Sequence, residues 1–394
     1  IIDSGVIFRN PLPGHRVINA IYPFILPLDG ELLCVLRNGQ ALYSPDGILE
    51  LFRSLDGSTW ERQGLVRSRE DDTFHYNYLD AHLTLLRDRT LLMRLSRVCH
   101  NDPNNLLFNP ETQGLLSFET CYLSSFDNGK TWSEPVVPEL NNLFVPEHVP
   151  VSCGQIVELD DGSWFQAFET WKCYSDPGPF DLNTYGLISD DRGRTWRDRV
   201  SVANGSVCNL SYSHAQPIRL DDGRLFASVW AAESQLQEFH GLYAAVSLDD
   251  YGREWEDPRP LGIPGQTSCA LDMGDNLLLI VYSHRDNTEQ PGIKVVLSED
   301  GGQNWFTDSP LLIWDAYGKE ALGVARTDTY PSNHDAIAYG APRIIKLDDR
   351  RAIASFWCTQ AGDTHCRYSE IEICETSEEF LSNISSKLTI WFFK

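Results

Sequence analysis

One short motif that recurs along the chain constrains the fold more than any other feature of the sequence. It reads Ser-x-Asp-x-Gly-x-Thr-Trp at residues 125–132 and 189–196, and residues 298–305 repeat it with Asn in place of Thr. Residues 54–60 carry a copy one residue shorter, and residues 247–255 a copy one residue longer. The aspartate can accept backbone N–H bonds within a turn, the glycine allows a positive φ, and the indole buries apolar area. Five such turns predict a repeat architecture.

A second series of turns is interleaved with the first. Six apolar runs each lead into a short turn rich in Asp, and another apolar run follows at once; the turns are residues 28–30, 86–89, 159–162, 220–223, 274–276 and 347–350. Each predicts a strand, a tight turn and a second strand. In five of the six units a third strand leads into the Ser-x-Asp turn and a fourth leaves it through the tryptophan. Four antiparallel strands, repeated at intervals of roughly 60 residues, predict propeller blades.

The sixth unit has strands near residues 341–347, 352–358 and 366–373, but it has no Ser-x-Asp turn and no fourth strand. The apolar residues 6–8 belong to no blade of their own, so we expect them to supply that strand and to close the ring, which hides its edges. The sequence thus predicts an all-β fold, a six-bladed β-propeller in one domain over residues 1–374. Residues 375–394, with a helix cap at residues 376–379, are expected to form a C-terminal appendage.

The net charge of the chain limits the classes of partner that it can bind. The formal net charge is −24 and the sequence pI is near 4.7. Nucleic acid and anionic membranes bind basic surfaces, so neither is expected as a partner. No stretch reaches the roughly 20 apolar residues of a membrane span. The sequence does not indicate the oligomeric state.

The ten cysteines are scattered singly, which favours reduced, buried thiols over a disulfide framework. Neither their spacing nor that of the histidines matches a metal site, although His82, His148, His214 and His334 come from separate blades and could ring the axis. No cofactor is expected. The first residues show no signal peptide, and although a mature secreted chain would look the same, we expect a cytoplasmic protein.

The repeated Ser-x-Asp-x-Gly-x-Thr-Trp motif resembles the Asp box of the sialidase superfamily, also called the BNR repeat, and the resemblance covers residues from about 4 to 374. It implies a six-bladed propeller with both series of turns on one rim and the site over the axis on the other. Asp boxes are structural and occur in proteins of several functions, so the resemblance implies the fold more strongly than the activity.

The catalytic set of the family matches this chain only in part. A sialidase would hold its substrate's carboxylate with three arginines, but two of those positions fall on Ala20 and Trp230, and Arg285 comes several residues early for the third. His214 stands where a glutamate is expected, and Tyr339 is two residues out of register with the tyrosine nucleophile. A carboxylate without a bidentate arginine cluster loses most of its recognition. The chain therefore diverges from true sialidases at the arginine triad, and we expect a substrate other than ordinary sialosides.

Carboxylates, histidines, arginines and aromatic rings are dense on the proposed rim, as a sugar-binding cleft requires. The catalytic candidates are Asp46, Asp80, Glu147, Glu169, His214 and Tyr339. The candidates for substrate binding are Tyr22, Arg37, Arg94, Arg97, His148, Trp171, Gln216, Trp230, His284, Arg285, His334 and Asp335. Arg343 and Trp357 are expected to serve packing alone.

The expected function is that of a carbohydrate-active enzyme, an exo-acting glycoside hydrolase with a glycan or small carbohydrate as substrate. Two carboxylates would flank the bond, one as acid and one as nucleophile or base. Two alternatives remain open. The chain could be a glycan-binding propeller without chemistry, as the lost arginines favour, or a polysaccharide lyase that uses histidine and tyrosine, with arginines neutralising a uronate.

Overall fold

Six antiparallel sheets follow one another along the chain. The computed structural model describes residues 1–67, 76–100, 102, 104–140, 142–179, 182–233, 238–285, 290–316 and 337–374. Over these ranges the chain forms 23 strands and no helix, so none of these residues forms a helix that could cross a membrane. The first strands of successive sheets touch in order around a ring, and the last touches the first. The chain is a six-bladed β-propeller, as the turn pattern predicts.

The blades follow the chain order. The first has β2 (Asn19–Leu28), β3 (Glu31–Gly39), β4 (Ile48–Ser54) and β5 (Glu61–Leu65), and the second has β6 (Tyr76–Leu85), β7 (Leu91–Cys99) and β8 (Phe118–Ser125). The third has β9 (His148–Glu158), β10 (Trp164–Lys172), β11 (Thr184–Ser189) and β12 (Arg197–Ala203). The fourth has β13 (Leu210–Arg219), β14 (Leu225–Glu233), β15 (Phe239–Val246) and β16 (Arg259–Ile263). The fifth has β17 (Ser268–Gly274), β18 (Leu277–His284), β19 (Gly292–Ser298) and β20 (Leu311–Asp315).

The sixth blade is closed by the N-terminus. Its own strands are β21 (Tyr339–Lys346), β22 (Arg351–Gln360) and β23 (Asp363–Glu372), and its outer strand is β1 (Asp3–Phe8), which pairs antiparallel with β23. The register runs from Asp3 opposite Glu370 to Phe8 opposite Cys366. The N-terminal strand thus lies where the count of turns places it. Residues 375–394, the expected appendage, lie outside the described residues.

The second blade is the least regular. Its sheet has three strands, and in place of a fourth strand a single antiparallel bridge joins Tyr122 to Val136. Each of these two residues donates its backbone N–H to the other's carbonyl oxygen at 2.9 Å. The outer edge of this blade is therefore covered by an extended loop segment.

The Ser-x-Asp turns are held by their own side chains. Asp127 accepts the backbone N–H of Thr131 at 2.9 Å and its hydroxyl at 2.6 Å, while Ser125 donates its hydroxyl to Asp127 and accepts the N–H of Gly129, both at 2.8 Å. The bonds from Thr131 and Ser125 stabilise the ionised form and lower the pKa of Asp127 to about 2. The copies at Asp191 and Asp300 repeat this pattern. These bonds order the turn locally.

Charged side chains join neighbouring blades on the rim that carries the turns. Asp29 of the first blade forms an ion pair with Arg89 of the second and accepts a bond from Asn128 at 3.0 Å. Asp160 of the third blade pairs with Arg87 of the second, at 2.8 Å, and with Arg219 of the fourth. Exposed pairs of this kind stabilise a fold little on their own. The larger contribution comes from apolar side chains buried within and between blades, such as Leu33, Leu91 and Met93.

Candidate functional site

The innermost strands of five blades share a local irregularity. Each has a β-bulge at which its register against the second strand shifts, in β2, β6, β9, β13 and β21. In four of them a residue at the bulge has a positive φ: Tyr22 (54°), Gly154 (69°), His214 (56°) and Ala341 (47°). A positive φ is uncommon for residues other than glycine, and such strain collects at functional sites. The bulges re-aim the side chains around one region of the axis.

A cavity of about 170 Å³ lies among these bulges. All four positive-φ residues of the bulges line it, and no Ser-x-Asp turn does. Its wall combines ionisable side chains with many rings and aliphatic groups. Among the described residues, the ionisable, amide and hydroxyl side chains of the wall, apart from the tyrosines, are Asp80, Ser152, Cys153, Glu169, His214, Gln216, Gln266, Thr267, Ser268, Arg285 and Arg343. The cavity is therefore the candidate active site of the fold.

Asp80, on the bulge of β6, is a carboxylate held in its ionised form. Arg94 donates Nη1 to Oδ1 at 3.1 Å and Nη2 to Oδ2 at 3.2 Å, and His82 Nε2 lies 3.4 Å from Oδ2. Burial alone would raise the pKa of Asp80, but Arg94, His82 and Ser96 outweigh it and hold the pKa well below its usual range. The side chain of Asp80 keeps 24% exposure, while Arg94 behind it keeps 1%. Asp80 thus presents a fixed negative charge to the cavity.

Glu169, on β10, is a second carboxyl group, and its pKa is shifted in the opposite direction. It is 2% exposed, and burial raises its pKa to about 7. Three donors limit that rise: the thiol of Cys153 at 2.7 Å from Oε1, the backbone N–H of His214, and the indole N–H of Trp171 at 3.3 Å from Oε2. The negative charge of Asp80 raises the pKa further. Near neutral pH Glu169 can therefore hold a proton while Asp80 cannot.

Aromatic side chains form much of the remaining wall. Phe108 packs on Trp171 with ring centroids 5.6 Å apart and on Tyr43 at 6.1 Å. Trp230 stacks on the ring of His214 at 5.7 Å and meets Phe239 at 4.6 Å. Tyr22 contributes a hydroxyl 2.9 Å from that of Tyr43. Such faces suit the C–H surfaces of a sugar ring.

Among the described residues, two arginines reach the cavity, one from the fifth blade and one from the sixth. Arg285 donates Nε to the carbonyl of Tyr339 at 2.9 Å and Nη1 to Gln266 at 2.7 Å. Arg343 lies with Nη2 3.3 Å from His82 Nε2 and donates Nη1 to the carbonyl of Pro342. At the first sialidase arginine position Ala20 is fully buried in the core, and at the second Trp230 lines the cavity. Within the described ranges, no group of three or more His, Cys, Asp or Glu residues could hold a metal ion.

The structure brings eight of the sequence-predicted site residues to this cavity. They are Tyr22, Asp80, Glu169, Trp171, His214, Gln216, Trp230 and Arg285. Eight others do not line it: Asp46, Glu147, Tyr339, Arg37, Arg94, Arg97, His148 and His284. The last two candidates, His334 and Asp335, lie outside the described residues.

Several candidates that do not line the cavity have other partners. Arg37 is fully buried and donates to the carbonyls of Tyr78, Ala41 and Ser44, so it braces a loop. Asp46 accepts two bonds from the backbone N–H of Gln40 in that loop. The side chains of both residues thus bond within this loop and do not line the cavity.

Two further candidates outside the cavity also have other bonding partners, and a third is exposed to solvent. Tyr339, a catalytic candidate, donates its hydroxyl to the carbonyl of His284 at 2.7 Å. Arg97 pairs with Glu119 at 2.9 Å and lies over the ring of Tyr76. The side chain of Glu147 is exposed.

Sequence reasoning did not single out several polar and aromatic residues of the cavity wall. Arg343 and Trp357, interpreted as packing residues, both line it, and so do Tyr43 and Cys153. The bulge of β21 between Gly340 and Arg343 shifts the register by one residue, which decides the side to which Arg343 points. The apolar character of the segments around Cys153 gave no signal that its thiol would meet a carboxyl group.

The sequence matches the BNR repeat-like domain family over residues 100–333, which is more than half of the chain. The chain belongs to the BNR repeat-like domain family. Among curated proteins none matches it significantly. Together with the fold, the family match makes the chain a member of the sialidase-like superfamily.

Solved structures share the fold of this BNR repeat-like protein at low sequence identity. A protein of unknown function from Dyadobacter fermentans is 22% identical with a TM-score of 0.71, and the match covers 95% of this chain and 98% of that one. The α-L-arabinanase of Penicillium chrysogenum, in complex with arabinobiose, is 16% identical with a TM-score of 0.60, covering 94% and 97%. The NanB sialidase of Streptococcus pneumoniae is 13% identical with a TM-score of 0.59, covering 94% and 70%. These similarities show the shared propeller fold.

Proposed function

We propose that this protein is an exo-acting glycoside hydrolase whose substrate is not an ordinary sialoside. One observation carries the proposal: two carboxyl groups at the same cavity have pKa values on opposite sides of their usual range, with Asp80 well below it and Glu169 raised to about 7. Environments that separate two carboxyl groups in this way are how glycosidases divide the roles of acid and charged partner.

In the proposed mechanism Glu169 is the general acid. Its buried carboxyl group carries a proton near neutral pH and gives it to the glycosidic oxygen as the bond breaks. Asp80 stays ionised and stabilises the positive charge that develops at the anomeric carbon. A water molecule then adds to that carbon and gives its proton to the carboxylate of Glu169, which restores the acid. Arg94 and His82 keep that carboxylate in place. Trp171 and Trp230 supply faces for the sugar ring, and Gln216 a hydrogen-bonding amide.

The choice of substrate class rests on the residues at the three sialidase arginine positions and on the structural relatives. Ala20 and Trp230 occupy two of the three positions at which a sialidase carries arginine, and Arg285 is already bonded to Gln266 and Tyr339. Two structural relatives are an α-L-arabinanase in complex with arabinobiose and an α-L-arabinofuranosidase bound to an iminosugar inhibitor. We therefore place α-L-arabinosides first among the neutral glycosides to be tested.

The test is steady-state hydrolysis of p-nitrophenyl glycosides, including α-L-arabinofuranoside and common hexopyranosides, beside an aryl α-sialoside. We expect turnover of a neutral glycoside, and for Glu169→Gln a drop in kcat of at least about 100-fold on the alkyl glycoside of that sugar, whose alkoxide leaving group needs the proton of a general acid. Glu256→Gln, on an exposed loop of the fourth blade, is the matched control and should keep wild-type kcat. Binding of these glycosides without turnover would support the glycan-binding alternative, and unsaturated products from uronate polymers would support the lyase.

A further inference from the structure

Cys153 makes a side-chain contact that the proposed mechanism does not use. Its Sγ lies 2.7 Å from Oε1 of Glu169 and 3.5 Å from the carbonyl oxygen of Val151. Cys153 and Glu169 both line the cavity, and both are buried, with 5% and 2% exposure. A thiol is a weak donor and a weak acceptor, so one of these groups can bond to the other in either direction.

The backbone around Cys153 is held on both sides. Arg94 donates Nε to the carbonyl of Gly154 at 3.1 Å, and Gln166 donates its amide to the carbonyl of Cys153 itself. The positive φ of Gly154 belongs to the bulge of β9, at which the register against β10 shifts by two residues. This bulge places Cys153 opposite Ala167, two residues from Glu169 on β10. The thiol is therefore directed at the carboxyl group by the fold of the innermost strand.

The partners of Glu169 differ in what they can do when its proton leaves. The indole N–H of Trp171 and the backbone N–H of His214 are donors only, so they bond to the carboxyl group in both states but favour the ionised one. The thiol can change direction. It donates to Oε1 when Glu169 is ionised, and when Glu169 is protonated its S–H can turn to Val151 while the sulfur accepts the carboxyl O–H.

From this geometry we propose that Cys153 is a positioning residue for Glu169: its reversible hydrogen bond keeps the carboxyl group in one orientation through both protonation states and supports the ionised one. The charged and titratable groups that face the pair of Glu169 and Cys153 from other strands are Asp80 and Arg94 of the second blade and His214 of the fourth. They set the field around the carboxyl group, whereas Cys153 bonds directly to it. The catalytic consequence rests on the proposed function, but the effect on protonation does not.

The experiment compares Cys153→Ala, which removes the thiol, with Cys153→Ser, which keeps a hydroxyl that can donate and accept. Two measurements are made on each variant. The first is the pH profile of kcat/KM on a p-nitrophenyl glycoside that the wild type cleaves. The second is the pH dependence of the unfolding free energy, in which each variant is compared with the same variant that also carries Glu169→Gln. Loss of a donor to a carboxylate raises its pKa, so in Cys153→Ala we expect the titration of Glu169 to move up by about one pH unit. Cys153→Ser should restore it at least in part.

The matched control is Cys34→Ala, since Cys34 is buried in the first blade and does not line the cavity. It should leave the titration of Glu169 where it is in the wild type. A Cys153→Ala variant whose titration stays in place, or a serine variant that behaves as alanine does, would overturn the proposal. If no glycoside is cleaved by the wild type, the proposed function fails, and the unfolding measurement alone still decides the role of Cys153.

Discussion

Replacing Glu169 by glutamine should change how stability depends on pH. Glu169 is 2% exposed and its pKa is raised by burial from 4.5 to about 7. Between these values the native state binds more protons than the unfolded state, so the contribution of Glu169 to stability is fully present below pH 4.5 and is lost as pH rises through 7. A rise of about 2.5 pH units, at about 1.4 kcal/mol for each unit, corresponds to roughly 3 kcal/mol.

The assay is urea denaturation of wild type and Glu169→Gln at pH 4.5 and pH 8. Glutamine does not titrate, so relative to the variant the wild type should lose roughly 3 kcal/mol of unfolding free energy between the two pH values. Using the difference between proteins cancels the other titrating groups, and Glu256→Gln shows what loss of an exposed carboxylate does. If the difference between wild type and Glu169→Gln were the same at both pH values, Glu169 would not be the buried acid described here.

Three further results are expected. Asp191→Ala should lower the unfolding free energy by on the order of 1 kcal/mol, because the hydrogen bonds from Thr195 are lost, and should leave activity per folded molecule unchanged. A variant that stayed stable but lost activity would place the turn at the site. Arg94→Met should lower the unfolding free energy, measured by denaturation, by roughly 3–5 kcal/mol because the carboxylate of Asp80 loses its bidentate partner, and adding Asp80→Asn should recover part of that loss. Full stability of the single variant would contradict the pairing of Asp80 with Arg94. Turnover of an aryl α-sialoside should stay far below that of the best neutral glycoside, and comparable rates would mean that Arg285 and Arg343 act as a carboxylate clamp.

The blades were predictable because their signals are local. Each Ser-x-Asp turn is held by bonds among residues no more than four apart, as between Asp127 and Thr131, so the motif itself carries the structure. The closure by β1 followed from the absence of a fourth strand in the last unit. The sequence placed Glu169 and Asp80 on one rim together with Asp46 and Glu147, but it could not indicate which two of the four carboxylates form a pair, because different blades bring them together.

The pairing of side chains across blades was not predictable in the same way. Tyr339 is the first residue of the innermost strand β21, and it donates its hydroxyl to the carbonyl of His284, 55 residues away. Arg343 looked like a packing residue because a one-residue bulge determines the side to which it points. Which groups surround Glu169, including Cys153, depends on bulges that apolar runs in the sequence do not reveal.

The most direct test of the assignment of Glu169 and Asp80 uses substrates that differ only in the leaving group. A departing 2,4-dinitrophenolate needs no proton, whereas an alkoxide does. For Glu169→Gln we expect kcat/KM to fall by about 100-fold or more on an alkyl glycoside and by only a few-fold on the dinitrophenyl glycoside of the same sugar. Asp80→Asn should lose activity on both. Equal losses on the two substrates for Glu169→Gln would contradict its role as the general acid.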